Sequence, residues 1–567
     1  MKTLFFLLPL LFILNCYSQK YRLKAIGSTK NETESIDSLN YTPRHNNLKS
    51  INEELILLSE NLTKKGYLEN ILIKNTKIND STFVAKFSLG ERTKTIHLYI
   101  GRNNMLFEEK NQTDQDTLII PYHELEYFLN KTIHNLEQRG YALAKIKLTH
   151  LQKNKNTYTA KLQIDLNQSR KLNSIIIKTK NGPDATIFPK GHLAQLNRKY
   201  CNKTFNQDLA SQVYDDFKKF KFVTQIKYPE ILFTKDTTKL YVYLEKRKSN
   251  NFDGFIGFSK SDNSKIVLNG YLNISLENIL HAGEQFTLYW KSDDVSQKTF
   301  NTSIEIPYIF KSPLGIKAQL QIFKQDSIYQ NTQKATDVGY FFNYNTRFYL
   351  GYQSTESSDI QNTNNSIISD YKKYFLTTNL EYSNSDYLNF LFPKKTSLSF
   401  IAGKGKRTTN DVVDNQETTE QFYVKLFAMH NFLLNKKNYI NVASQNYYLA
   451  SNTYLINELY RFGGINSIRG FQENSLQANF TTSILTEYRY VIAQNLYCHS
   501  ILDYAIYKYP TNTQKQSDYT KLLSIGLGLG LQTKNGLLKI VVANGNDSTN
   551  KMKFYNTITH ICYNVKF

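Results

Sequence analysis

The sequence predicts a mainly β protein: a 16-stranded antiparallel transmembrane β-barrel preceded by three small α+β modules of order β-α-α-β-β. Three observations carry this. The pattern changes near residue 250, from helical periodicity alternating with strands to strands alone. Sixteen strand-like runs follow that point, most of them long enough for a tilted strand to cross a bilayer. The chain is polar on average, with a mean hydropathy of −0.47, yet carries 41 Tyr and 35 Phe. That mixture suits strands with one apolar and one polar face.

The composition excludes several classes. Aromatic content this high argues against disorder. Only 24 Gly and 10 Pro in 567 residues exclude collagen-like and linker-dominated chains. After residue 14 no run of about 18 apolar residues appears, so no transmembrane helix is readable. The net charge of +22 favours anionic lipid head groups or acidic partners over nucleic acid, because a secreted chain rarely meets nucleic acid. A lysine-rich background explains the same charge equally well.

Residues 1–18 have the form of a secretory signal. Lys2 supplies the charge, Leu4 to Leu14 the apolar stretch, and Cys16-Tyr17-Ser18 the small-residue end. The rival is a lipoprotein signal acylated at Cys16, which Asn15 fits poorly. Cys201, Cys498 and Cys562 remain; an odd number at wide spacing is neither a disulfide framework nor a zinc pattern.

The modules are expected at 19–90, 91–168 and 169–250. In the first, Leu48, Ile51, Leu55, Leu58 and Leu62 fall at helical spacing, and Gly66-Tyr67 stops the helix as a C′ glycine does. In the second, Leu125, Phe128, Leu129, Ile133 and Leu136 repeat the stripe and Gly140-Tyr141 the stop. In the third, a strand at 172–179 and a helix near 207–220 precede Lys221-Phe222, which stands where Gly-Tyr stood. Two strand-like runs follow each helix. Units of about 75 residues have marginal cores, and strung head to tail they suit binding arms.

The barrel is expected over 251–567, with an internal loop at 451–480. Spanning strands must close on themselves, because lipid cannot satisfy a free sheet edge. Tyr447, Tyr448, Tyr488 and Tyr490 near strand ends suit the head-group level. The long loop contains Phe462, Gly463, Gly464, Ile468, Arg469, Gly470 and Phe471. Loops of this length are usually functional or disordered, and paired glycines beside aromatics favour a specific fold.

That loop resembles the barrel-loop motif of the BamA/TamA superfamily of outer-membrane-protein insertases, also called the bacterial surface antigen family. Its core is Val/Ile-Arg-Gly-Phe/Tyr, here Ile468 to Phe471, and it falls after the eleventh run as in that family. The repeats are similar to the family's polypeptide-transport-associated (POTRA) modules; three of them look more like the TamA branch than BamA. The resemblance covers nearly the whole mature chain.

Physics places partners for the arginine independently. A charge inside a barrel needs an anion, since an unpaired buried charge is costly. Parity turns Asp503 and Glu487 inward, and makes Gly526, Gly528 and Gly530 a luminal stripe that allows close approach. The loop tip is therefore expected to dock on runs twelve to fourteen, with Arg469 held by Asp503 and Glu487. The family likewise pairs this arginine with acids. Its run-thirteen pattern keeps the acid here but loses Phe and Gly, as Ile501-Leu502-Asp503-Tyr504-Ala505.

The resemblance also implies a terminal-aromatic insertion signal at Phe567 and a weak seam between the first and last strands. It implies an outer-membrane factor, with POTRA modules in the periplasm, that captures unfolded or nascent outer-membrane proteins and aids their insertion or passage. A TamB-like periplasmic partner or assembly subunits and the lipid bilayer are the further partners it implies. No enzyme motif is visible, and neither a cofactor nor a metal is expected: His123-Glu124-Leu125-Glu126-Tyr127 begins like a zinc helix but lacks the second His. The alternatives are a two-partner-secretion porin, which the lack of a plug helix in 19–46 disfavours, and a passive pore.

Overall fold

The computed structural model describes residues 21–101, 116–154, 157–180, 187–260, 266–293, 297–361, 367–387, 389–410, 416–510, 519–533, 536–547 and 557–566. The signal-like stretch 1–18 and Phe567 lie outside these. Two compact units divide the chain: residues 1–170 with 204–207, and residues 171–203 with 208–567.

The first unit holds two small sheets. In one, strand Tyr21–Gly27 runs parallel to Thr82–Ser88, which pairs antiparallel with Ile71–Asn79. Helix Leu48–Lys64 lies on this sheet and buries Ile51, Leu55, Leu58 and Leu62; Leu48, the first of the expected stripe, is exposed. Gly66 adopts φ +102°, its amide donates to the Thr63 carbonyl at 3.0 Å, and the Tyr67 amide donates to Leu62 at 3.0 Å. These two bonds form a Schellman stop. Gly140 and Tyr141 repeat it after helix Leu125–Gln138. The second sheet sets Thr95–Tyr99 parallel to Thr157–Asp165, with Lys145–Asn154 antiparallel beside it. Helix Lys30–Asp37 is the second helix that the order β-α-α-β-β calls for, at a place no apolar stripe marks: it is nearly all polar, buries Ile36 alone, and owes its start to a capping box between Thr29 and Glu32.

The second unit holds a third small sheet and the barrel. Strand Leu172–Lys178 runs parallel to Thr238–Lys246, as in the other two modules. Two helices cover it, Lys190–Tyr200 and Gln207–Lys218. The first of these went unread because its buried stripe of His192, Leu196 and Tyr200 contains a histidine and a tyrosine.

The barrel is a closed sheet of sixteen strands joined in sequence order. They are Asn251–Lys260, Ile266–Glu277, Gln285–Asp293, Gln297–Ile306, Leu314–Gln325, Tyr329–Asn343, Thr346–Asp359, Tyr371–Ser385, Lys394–Asn410, Gln416–Leu433, Asn438–Ala450, Phe480–Ala493, Leu496–Lys508, Thr520–Gln532, Gly536–Asn546 and Ile558–Lys566. Side chains alternate as a membrane barrel requires. In the eighth strand Tyr371, Lys373, Phe375, Thr377 and Asn379 are buried, while Tyr374, Leu376 and Leu380 lie outside. Neighbouring strands share eight or more residue pairs throughout, with one exception. Among the described residues the first and sixteenth strands pair only at Asn251–Lys566 and Phe252–Val565.

The third module is anchored to turns at the barrel end where the first strand begins. His192 is fully buried in a cage of Phe188, Phe220, Phe222, Tyr308 and Tyr344. Lys221 forms a 2.9 Å ion pair with Glu277, and Gln195 donates to the Lys311 carbonyl at 2.7 Å. Burial, assisted by the nearby Arg347 charge, pushes the His192 pKa down to about 3.

Candidate functional site: the loop inside the barrel

The loop between the eleventh and twelfth strands folds back into the lumen. Its stem is a short antiparallel pair, Tyr460–Phe462 with Leu476–Ala478. Gly463 and Gly464 follow at φ +106° and +99°, a conformation that L side chains resist, and so turn the chain after Phe462. Phe462 and Ile468 are buried with Ala478, Leu485, Ala505 and Leu522, and Phe471 packs against the same cluster. This apolar plug fixes the tip before any charge is considered.

Arg469 is 5% exposed and Asp503 not at all. The guanidinium grips the carboxylate in a fork, Nε to Oδ2 at 2.7 Å and Nη2 to Oδ1 at 2.5 Å. The Arg469 amide donates to the same Asp503 oxygen at 3.1 Å, so the carboxylate holds both side chain and backbone. Nη1 pairs with Glu487, and Nη2 also donates to the Thr486 carbonyl at 3.3 Å. Glu487 in turn accepts from Arg489 Nε at 2.7 Å, and Arg489 donates to Asn431 at 2.9 Å. Each arginine thus has a carboxylate partner, as a buried charge network requires, and Lys539 lines the same cavity.

Gly470, at φ +78°, lies against the wall. A Cβ there would come within 2.5 Å of the Gly545 amide nitrogen and 2.9 Å of Ser524 Oγ. The Phe471 ring covers Gly545. The luminal glycine stripe has a different role from the one expected. Side chains at Gly526, Gly528 and Gly530 would strike Val542 and Ala543, the His499 ring and the Tyr497 ring respectively. The stripe therefore makes room for neighbouring strands, and the tip rests instead on Ser524, Asn544 and Gly545.

Sequence reasoning missed a second clamp at the loop's base. Arg407 of the ninth strand pairs with Glu458, both almost wholly buried, and donates through Nη2 to Thr453 Oγ1 at 2.6 Å. Glu458 also accepts from Gln421 at 2.9 Å and from the Leu455 amide at 3.0 Å. Next to it, Asn457 donates to Ser357 and to the Ser369 carbonyl, each at 2.8 Å. Arg461 Nε donates to Tyr329 Oη at 2.9 Å. The one available signal was an acid, Glu458, within a long loop; nothing local paired it with a residue 51 positions earlier.

A model of the Omp85 superfamily domain matches residues 278–559. No curated protein matches the chain by sequence. Among solved structures, BamA from Haemophilus ducreyi lacking POTRA domains 1–3 is 16% identical with a TM-score of 0.48, covering 83% of this chain and 98% of that one. CdiB from Acinetobacter baumannii is 15% identical with a TM-score of 0.49, covering 82% and 86%. CdiB from Escherichia coli is 12% identical with a TM-score of 0.49, covering 91% and 97%. Identities and scores this low leave function to the site and to the family domain. The closed sheet, its apolar outer face and the matched domain describe an outer-membrane β-barrel, and residues 278–559 of this chain are an Omp85 superfamily domain.

Proposed function

We propose that the protein captures unfolded or nascent outer-membrane proteins on its N-terminal modules and aids their insertion through a barrel seam. The observation that carries this reading is the two-pair closure between the first and last strands. Strand residues without ladder partners are an open edge, and in lipid each unsatisfied backbone group costs several kcal/mol. An incoming strand that pairs with that edge removes the cost, which is β-augmentation inside a membrane. The modules supply further edges: Ile71–Asn79 pairs on one side only, and all nine of its residues are exposed. Three such modules, a TamB-like periplasmic partner or assembly subunits, and no bond-making chemistry complete the reading.

The test is a staple. Phe252→Cys with Val565→Cys places two thiols at a registered pair of the seam. Oxidised, this variant in liposomes should fail to accelerate folding of an unrelated barrel protein, and reduction should restore it. Acceleration that survives oxidation would refute the seam mechanism. Export of a single dedicated partner without any folding acceleration would point to secretion instead.

A further inference from the structure

A second luminal feature is left over when the loop clamps are accounted for. The register sets Thr355, Lys373 and Arg407 side by side on the seventh, eighth and ninth strands. All three face inward and are 4%, 9% and 2% exposed. Each keeps a donor in reserve. Thr355 Oγ1 and Arg407 Nε are buried without a hydrogen-bond partner. Among the described residues no carboxylate pairs with the Lys373 ammonium, which lies near the rings of Tyr371 at 5.3 Å and Phe375 at 5.9 Å.

The charges do not balance. Two cations stand directly opposite each other on adjacent strands, where like charges repel. Glu458, the acid that pairs with Arg407, also accepts from Gln421 and the Leu455 amide. In the Arg469 cluster, by contrast, each arginine has a carboxylate partner. Thr355 and Lys373 line a luminal cavity of about 510 Å³, whose wall also carries Lys425 and Arg461 against Asp337 and Glu458. A hydroxyl, an ammonium and a guanidinium N–H in a row, with one positive charge in excess, form a site for an acceptor-only anion.

We propose that this row binds an oxyanion, a carboxylate or phosphate group entering from the lumen. Lys373 supplies the charge, Thr355 a hydroxyl donor, and Arg407 backs the site with Nε. Because Arg407 also holds Glu458, an occupied site steadies the base of the loop.

The experiment uses the full chain in detergent, with thermal unfolding followed at constant ionic strength. Replacing chloride by inorganic phosphate should raise the midpoint saturably, by about 2 °C or more. Lys373→Met and Thr355→Val, both close in volume, should abolish or weaken that rise, while Lys373→Arg should keep it. Hepta-glutamate distinguishes the sources. If it reproduces the rise, the carboxylates of a polypeptide occupy the site; if phosphate alone does, a free anion does. No saturable rise with either probe, or an equal rise in Lys373→Met, would overturn the proposal.

Discussion

Arg469 and Asp503 show how one contact can set a loop. The aspartate takes three hydrogen bonds from one arginine, two from its side chain and one from its backbone, and a fourth from the Thr486 amide at 3.2 Å. Removing either partner strands a charge in a buried site, which costs about 3–5 kcal/mol. Arg469→Ala and Asp503→Ala should each lower the unfolding midpoint and the folding-acceleration activity, and the charge-swapped double variant should recover part of both. Two single variants with wild-type behaviour would remove the pair from the mechanism. Glu487→Gln should cost less, since Arg469 keeps its fork on Asp503. This pair is legible in the sequence because alternation fixes which residues face inward; Arg407–Glu458 is not, because loop conformation decides where Glu458 arrives.

At the scale of the element, the loop is held by its shape as much as by charge. Gly470 fits only because it has no side chain: the Gly545 backbone and Ser524 occupy the space a Cβ would need, and φ is +78°. Gly470→Val should therefore unseat the tip even though Arg469 and Asp503 are intact. Limited proteolysis within 451–480 reads this directly, with cleavage in the variant and protection in the parent. The sixteen strands were legible because several repeat a period-two signal and all are runs of strand-like residues long enough to cross a bilayer. The three helices with a clear apolar stripe were legible for the same reason. Lys30–Asp37 and Lys190–Tyr200 were not: one buries a single isoleucine, the other a histidine and a tyrosine in place of aliphatic residues. The glycine stripe was seen, but sequence says only that room exists and not that His499 and Tyr497 fill it.

For the whole molecule, the joint between the third module and the barrel turns is the feature with a pH signature. An unfolded histidine titrates near 6.5, while His192 in its aromatic cage is held down to about 3. The folded joint therefore prefers the neutral ring. Its contribution is complete above pH 6.5 and is lost as pH falls from 6.5 towards 3. Hydrogen exchange in Lys190–Tyr200 should quicken over that window, and His192→Phe should flatten the response. A joint equally protected at pH 7.5 and pH 4.5 in the parent protein would contradict the assignment.

The seat of the loop tip has a mechanical consequence. By bridging Asp503 and Glu487 to Ser524, Asn544 and Gly545, it welds four consecutive staves of the wall, twelfth to fifteenth, into a single stiff panel. One unreinforced stave, the sixteenth, separates that panel from the incomplete hem. The seated tip therefore ties together the wall on one flank of the hem and stops a single stave short of it.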